Sequence, residues 1–325
     1  MRSLRHERGA GPPREGGIAL VLALWITILL TSIATSFAFS MRSEALAARN
    51  AVGGAQAQSA ADGAVERIAF ELQRPRNVTQ ENWNADGRLR TWRDGDVEIT
   101  AVAIDESAKI DLNSASQPLL SGLLQNLGGL SAEDAQAVLD AILDWRDPDD
   151  LRRPNGAEES DYRAAGRKYK PANGPFEAVG ELRLVLGVTP ALYDRVAPAL
   201  TVFSRQAGIN PGTASRDVLL ALPGTTPELV DAYLTQRHEA LEQNLPVPPF
   251  APAQAFATGA IPVWRIHAEA RLSDGVTFVR DAVVRPTSDP KRGLVALLWQ
   301  EGIVSLSSNS ASVGAANNNH GTPDR

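Results

Sequence analysis

The sequence predicts an α+β fold: a long N-terminal hydrophobic helix, an antiparallel sheet, and a large all-helical domain inserted between the strands of that sheet. Three observations predict it. An uncharged N-terminal run passes without a helix breaker into an amphipathic helical pattern, two strand-like alternations lie far apart in the chain, and the stretch between them has helical spacing. The 325 residues, 22% charged and 43% hydrophobic, suffice for one or two domains with a true core. Zero cysteines exclude a disulfide framework, Cys-ligated zinc or iron–sulfur centres, and thiol catalysis.

The chain opens on a basic leader, residues 1–17, with Arg2, Arg5, Arg8 and Arg14 against Glu7 and Glu15. From Gly16 through Met41 there are 26 residues without a charge. As a helix, residues 18–41 span about 36 Å, enough to cross a hydrocarbon core of roughly 30 Å. The leader arginines put their side in the cytoplasm and the globular mass outside it. A cleaved secretory signal, with Ser32-Ile33-Ala34 as its cutting site, and a plain anchor are alternatives. Continuity favours a third reading. Ile18 to Val52 holds neither Pro nor Gly, and Ala61, Val65, Ile68 and Leu72 then line one helical face until Pro75 stops the run, which gives one helix over 18–74.

Residues 75–108 begin the sheet: Val97, Ile99, Ala101 and Ala103 alternate with Glu98, Thr100 and Val102. Residues 256–304 complete it. There Trp264, Ile266, Ala268, Ala270 and Leu272 alternate with charged residues, and Asp274-Gly275 supplies the turn to a partner strand over Val276 to Val284. Residues 109–255 form the helical insertion, which ends in the Pro246 to Pro252 loop and contains a weak repeat. Ile110-Asp111-Leu112-Asn113-Ser114-Ala115-Ser116 is echoed by Ile209-Asn210-Pro211-Gly212-Thr213-Ala214-Ser215, each followed by a Leu-rich run that a Ser or Thr can cap. Residues 305–325, rich in Ser, Asn, Ala and Gly, read as a disordered tail.

The insertion also carries an acidic stretch. Asp147, Asp149 and Glu158 stand at relative positions 1, 3 and 12, the carboxylate spacing of a calcium loop, with Glu159 and Asp161 close behind. Arg152 occupies relative position 6, where an EF-hand needs Gly, so a loop here follows another path. A solvated acidic turn partly neutralised by Arg146, Arg152 and Arg153 is the competing account, and calcium is the metal this donor set suits. Catalysis finds little support: Asp144 and Asp147 could be imagined as acid and base, but clustered acids in a turn are more often solvated or calcium-bound. His6, His238, His267 and His320 have no metal-ligand spacing, and there is neither a nucleophile elbow nor a phosphate-binding loop. Trp145 reads as a packing residue.

A basic leader, Gly17, and a retained hydrophobic helix merging into an amphipathic one resemble a type IV prepilin or type II secretion pseudopilin. Further motifs narrow the likeness: Ile110-Asp111-Leu112-Asn113-Ser114-Ala115, Ile142-Leu143-Asp144-Trp145-Arg146-Asp147-Pro148-Asp149, Gly156-Ala157-Glu158-Glu159 and Val179-Gly180-Glu181-Leu182-Arg183. Together they resemble the K-type minor pseudopilin of the type II secretion system, over nearly everything from Gly17 to Trp299. The resemblance implies that the helix packs on the sheet, that a prepilin peptidase cuts between Gly17 and Ile18, and that Ile18 is then N-methylated. It implies an inner-membrane, single-pass protein with a periplasmic globular part, without enzymatic activity. Implied partners are other minor pseudopilins and the major pseudopilin. It also implies bound calcium, for which Asp147, Asp149, Glu158 and Glu159 are the candidate ligands. Most pilins carry Glu at the fifth mature position; here that residue is Leu22, which in this family implies the filament tip. A membrane-facing leucine without further meaning is the plain alternative. Gly53, Gly54 and Gly63 in the Ala-rich helix from Ala45 to Ala64 allow close contact with neighbouring helices.

The paired repeats also resemble helix-hairpin-helix DNA-binding proteins of the uptake type. Against that class, neither Gly128-Gly129-Leu130 nor Pro223-Gly224-Thr225 has the Gly-hydrophobic-Gly spacing that faces backbone amides to a phosphate. Residues 140–161 carry eight acids against Arg146, Arg152 and Arg153. Beyond the leader the chain holds 28 basic and 36 acidic groups, so the expectation is no nucleic-acid partner.

Overall fold

The computed structural model describes residues 16–75, 82–243, 245–256, 262–287, 289 and 293–303. Most of the leader, up to Glu15, and the whole of the tail expected over 305–325 lie outside the described residues. Helix α1 runs Gly16–Gln73, ending two residues before Pro75, whose ring disfavours helical backbone at the residue preceding it. The chain divides into two units, one up to Gln56 and one from Ala57 onward.

The first unit is the apolar part of α1. Leu20, Leu24, Trp25, Leu30 and Phe37 are all exposed. Three threonines here are satisfied within the helix. The hydroxyls of Thr27, Thr31 and Thr35 donate to the carbonyls of Ala23, Thr27 and Thr31 at 2.8, 2.7 and 2.7 Å. That return bond to the preceding turn lets a threonine sit in an apolar surround without an orphaned donor.

The second unit holds the rest of α1, a sheet and an insertion. Strands β1 (Asp86–Asp94) and β2 (Val97–Asp105) form a hairpin in which Asp94 faces Val97, and Gly95 takes the positive φ of 57° that the tight turn requires. The chain leaves the sheet at Asp105. A two-residue strand β3 (Ile110–Asp111) is followed by helices α2 (Gln117–Gly122), α3 (Ala132–Arg146), α4 (Glu159–Ala164) and α5 (Pro190–Val196). Strand β4 (Leu200–Thr201) precedes α6 (Arg216–Leu220) and α7 (Pro227–Glu242). The sheet resumes with β5 (Trp264–Arg271), β6 (Thr277–Pro286) and β7 (Leu294–Glu301), in the order β1-β2-β5-β6-β7, every neighbouring pair antiparallel.

The insertion therefore sits between two strands that pair with each other: Asp105 faces Trp264 across β2 and β5. It is not wholly helical as expected. Ile110 and Leu200, and Asp111 and Thr201, pair in parallel, so the start of the first copy of the repeat is laddered to the segment that follows α5.

One face of the sheet is covered by the end of α1. Ala57, Ala61, Ala64, Val65, Ile68 and Ala69, all 0–2% exposed, meet Ile99, Ala101, Ala103, Ile266, Ala268, Ala270, Ala282 and Val284. Alanine on both sides brings the helix backbone close to the sheet. Its position is fixed by an ion pair, Arg280 Nε to Asp62 Oδ1 at 2.6 Å, with the buried guanidinium also lying 4.9 and 5.2 Å from the ring centres of Phe278 and Trp299. The insertion has its own larger core, with Leu119, Leu120, Leu123, Leu124, Leu139, Ile142, Leu192 and Tyr162 fully buried.

Candidate functional site

The acidic stretch grows out of α3. Ser131 caps this helix by accepting the amide of Asp134 at 3.1 Å, and Glu133 and Asp134 in its first turn suit the helix dipole. Its inner face carries Leu139, Ile142 and Leu143, and among these apolar residues two acids at i, i+4, Asp140 and Asp144, are buried as well. Asp140 is satisfied by Gln136 Nε2 at 2.8 Å and by the amide and side chain of Asn155 at 3.2 Å each.

Asp144 meets Arg153. The guanidinium donates to Asp144 Oδ1 at 2.8 Å and also to Asp147 Oδ2, while the Arg153 amide donates to Asp144 Oδ2 at 3.2 Å. A Cβ on Gly156 would lie 1.9 Å from Asp144 Oδ2, so only glycine lets the returning loop pass this carboxylate.

Glu158 closes the loop. Its amide donates to Asp161 Oδ2 at 3.0 Å, and its side chain is buried with neither oxygen hydrogen-bonded. Asp147 Oδ1 is buried and unpaired too. Loss of water pushes the Glu158 carboxyl up to about 7, and the negative charges of Asp144, Asp147, Asp150 and Asp149 add to the shift. Behind it stands an aromatic wall. Trp145 stacks on Phe176 with ring centres 6.0 Å apart and 19° between planes, and it tilts against Tyr162 at 6.0 Å, which bears out its expected packing role. Burial drives the Tyr162 hydroxyl up to about 12, and its oxygen accepts the Leu186 amide at 3.2 Å.

Of the four expected ligands, Asp147 and Glu158 come together. Asp149 is exposed and accepts the Leu151 amide at 2.9 Å, close enough to raise the field at Glu158. Glu159 does not join: as the first residue of α4 it projects outward to Arg163 at 2.6 Å and Lys170 at 4.0 Å. Asp144 takes the inner position instead. The signal for it was in the sequence, an acid placed where the α3 pattern calls for an apolar residue. Among the described residues no three His, Cys, Asp or Glu side chains stand ready grouped for a metal ion, and the Arg153 guanidinium is the cation between Asp144 and Asp147.

The other expected positions lie on α1. Gly17 and Ile18 fall within the helix, Leu22 is 62% exposed, Gly53 is buried, and a Cβ at Gly54 would meet nothing within 4 Å. The repeat produces two helical hairpins, α2 with α3 and α6 with α7, turning at Gly129 (φ 68°) and Gly224 (φ 76°). They are poor phosphate sites. Ser131 and Thr226 accept amides of their own first turns, and those turns carry Glu133, Asp134 and Glu228.

A family model described as Type II secretion system (T2SS), protein K matches residues 95–205. A type II secretion system protein K from Klebsiella pneumoniae is 34% identical over 232 residues, covering 64% of this chain and 70% of the relative. That of Pectobacterium carotovorum subsp. carotovorum is 29% identical over 270 residues, covering 73% and 81%. Among solved structures, the crystal structure of the GspK-GspI-GspJ complex from the enterotoxigenic Escherichia coli type 2 secretion system contains a chain of the same fold. It aligns with a TM-score of 0.56 at 18% identity, over 81% of this chain and 99% of that one.

Proposed function

The chain belongs to the type II secretion system protein K family, and on that premise we propose that it is a minor pseudopilin standing at or near the tip of a periplasmic pseudopilus, assisting its assembly and the export of folded proteins. Its part is structural, as an assembly component without a reaction of its own. The observation that carries this reading is the make-up of α1: one helix whose first part exposes an apolar surface with none of its most hydrophobic window buried, and whose last part is the lid of a sheet. Such a helix anchors the precursor in the inner membrane and later packs among other subunits. Prepilin peptidase would cut between Gly17 and Ile18 and leave Ile18 for N-methylation. Leu22 supports the tip, because a buried carboxylate at that position is worth keeping only where a neighbour's amine can pair with it.

The solved relative is in complex with GspI and GspJ. By analogy the partners of this chain are other minor pseudopilins and the major pseudopilin, met through the small-residue helix around Gly53 and Gly54. Calcium belongs to the same proposal. The unpaired oxygens of Glu158 and Asp147 fit a hard cation, with Asp144 and Asp149 completing an oxygen-rich surround and Arg153 giving way. The ion would neutralise the loop and join the end of α3 to the start of α4. Mass spectrometry of the mature N-terminus tests the reading. A chain starting at methylated Ile18, and an uncut precursor for Gly17→Val, are expected; a chain starting at Thr35 would establish ordinary signal removal and overturn it.

A further inference from the structure

The two edges of the sheet are built differently. β1 carries five charges in nine residues, Asp86, Arg88, Arg90, Arg93 and Asp94, the usual guard against pairing with another strand. β7 opens with Leu294-Val295-Ala296-Leu297-Leu298-Trp299, has its single charge at Glu301, and pairs among the described residues with β6 alone. An apolar edge of this length is a template for a further strand.

A cleft of about 630 Å3 lies beside that edge. The register shift between Val283 and Val284 places an extra residue in β7, and Leu297 forms part of the cleft lining, as a bulge that re-aims one side chain allows. Pro175, Phe176, Val202 and Phe203 supply the rest of its apolar wall. The wall is held in advance by the Asp111-Leu112-Asn113 segment. Asn113 clasps the backbone of Phe176 from both sides, Nδ2 to its carbonyl at 2.9 Å and Oδ1 from its amide at 2.7 Å. The fully buried Asp111 accepts the Arg205 amide at 2.8 Å and the Ser204 hydroxyl at 3.2 Å. This holds Arg205 at φ 52°, a strained backbone for a long side chain, on the lining of the cleft. Arg205 is exposed and forms no ion pair with a described residue, not even with Glu177, the other charge lining the cleft.

We propose that the open edge of β7 and this cleft form a strand-addition site for an extended segment of a second protein, with an apolar side chain entering the cleft and an acidic residue two positions along, on the same face, pairing with Arg205. Backbone pairing along β7 supplies the affinity, the cleft selects the side chain, and the charge sets the register. An acidic segment is favoured because a guanidinium held in strained backbone without a counter-charge is a ready bidentate partner for a carboxylate.

The test uses the full chain in detergent and peptides of about eight residues, the length of a strand, alternating Thr and Val with a central Leu or Phe and, two residues further on, Glu or, in a second set, Lys. Fluorescence anisotropy should show binding of the Glu set and little of the Lys set. Arg205→Asn, which keeps a residue tolerant of left-handed backbone while removing the charge, should weaken the Glu set about tenfold, the loss of one charge-assisted bond. Arg205→Glu should transfer preference to the Lys set. Leu297→Lys should abolish both, whereas Thr91→Lys on the opposite edge should change nothing. Equal affinity for the Glu and Lys sets overturns the proposal, as does failure of every peptide to bind. Tighter binding by a chain truncated after Ile303 would assign the site to residues 304–325 instead, and concentration-dependent dimers lost in Leu297→Lys would assign it to a second copy of this chain.

Discussion

Between α1 and the sheet the meeting side chains are mostly alanine: Ala57, Ala61, Ala64 and Ala69 from the helix against Ala101, Ala103, Ala268, Ala270 and Ala282 from the strands. Inside the insertion they are mostly leucine with aromatic rings, and that core also encloses Asp140, Asp144 and Glu158. The first arrangement gains its contact from closeness, so added volume is what harms it. The second gains from bulk, so removed volume harms it, and at Glu158 it holds a carboxyl that no described residue hydrogen-bonds. Stability of the sheet should thus be indifferent to cations, and stability of the insertion should not.

The largest effect that would sharpen this contrast is Leu139→Ala, which leaves a cavity at a 2% exposed position and should cost about 2–5 kcal/mol in urea unfolding. Calcium comes next. If it binds only the folded chain, a hundredfold excess over its dissociation constant adds about 2.7 kcal/mol. That gain should vanish in Asp147→Ala combined with Glu158→Ala, and equal melting midpoints with calcium and with a chelator would remove the ion from the account. Ala268→Leu should cost about 1–3 kcal/mol by overpacking at a fully buried site, and a cost near zero would break the contrast.

A smaller effect is the pH slope in chelator. Glu158 has its folded-state pKa raised from 4.5 to about 7, so its contribution to stability is complete below 4.5 and lost as pH climbs through 7. Stability of the metal-free chain should fall from pH 5 to 8, and Glu158→Gln should flatten that fall. Gly54→Leu should have the smallest effect on folding, under about 0.5 kcal/mol, since its Cβ position is open. It should nonetheless reduce co-purification with other minor pseudopilins; unchanged recovery would count against the helix contact.

The elements that sequence exposes are those set by local rules. Pro75 ends α1, the alternation over 97–103 and 264–272 becomes β2 and β5, and the repeated Ile-Asx start becomes two like turns: Asp111 Oδ1 accepts the Asn113 amide at 2.9 Å and Asn210 Oδ1 the Gly212 amide at 3.0 Å. Strand β1 obeys no such rule. As an edge it is charged and half exposed, so alternation never marks it. At the acidic stretch, spacing along the chain brought forward Glu159 as readily as Glu158. Only the start of α4 separates them, by turning one inward and the other out to Arg163. Asp144 is hidden from spacing for the same reason: its partner Arg153 is chosen by a loop that folds back, not by distance in sequence.

Glu106 and Arg265, 159 residues apart, form an ion pair at 2.9 Å just where the insertion leaves and rejoins the sheet. In topological terms the insertion is the turn of one oversized hairpin. Closing a flexible loop of that length costs about 4–5 kcal/mol of chain entropy. A folded insertion removes most of that cost by bringing its own ends together, through the Asn210 amide on the Ser107 carbonyl and the Ile209 amide on the Phe256 carbonyl, both 2.8 Å. The topology therefore predicts an order of events: a chain emerging N-terminus first can make the β1–β2 hairpin at once, and β5 is expected to find its place after the insertion has folded. Lesions in the insertion core should appear first as slow closure of the sheet, a kinetic defect registered far from the altered residue.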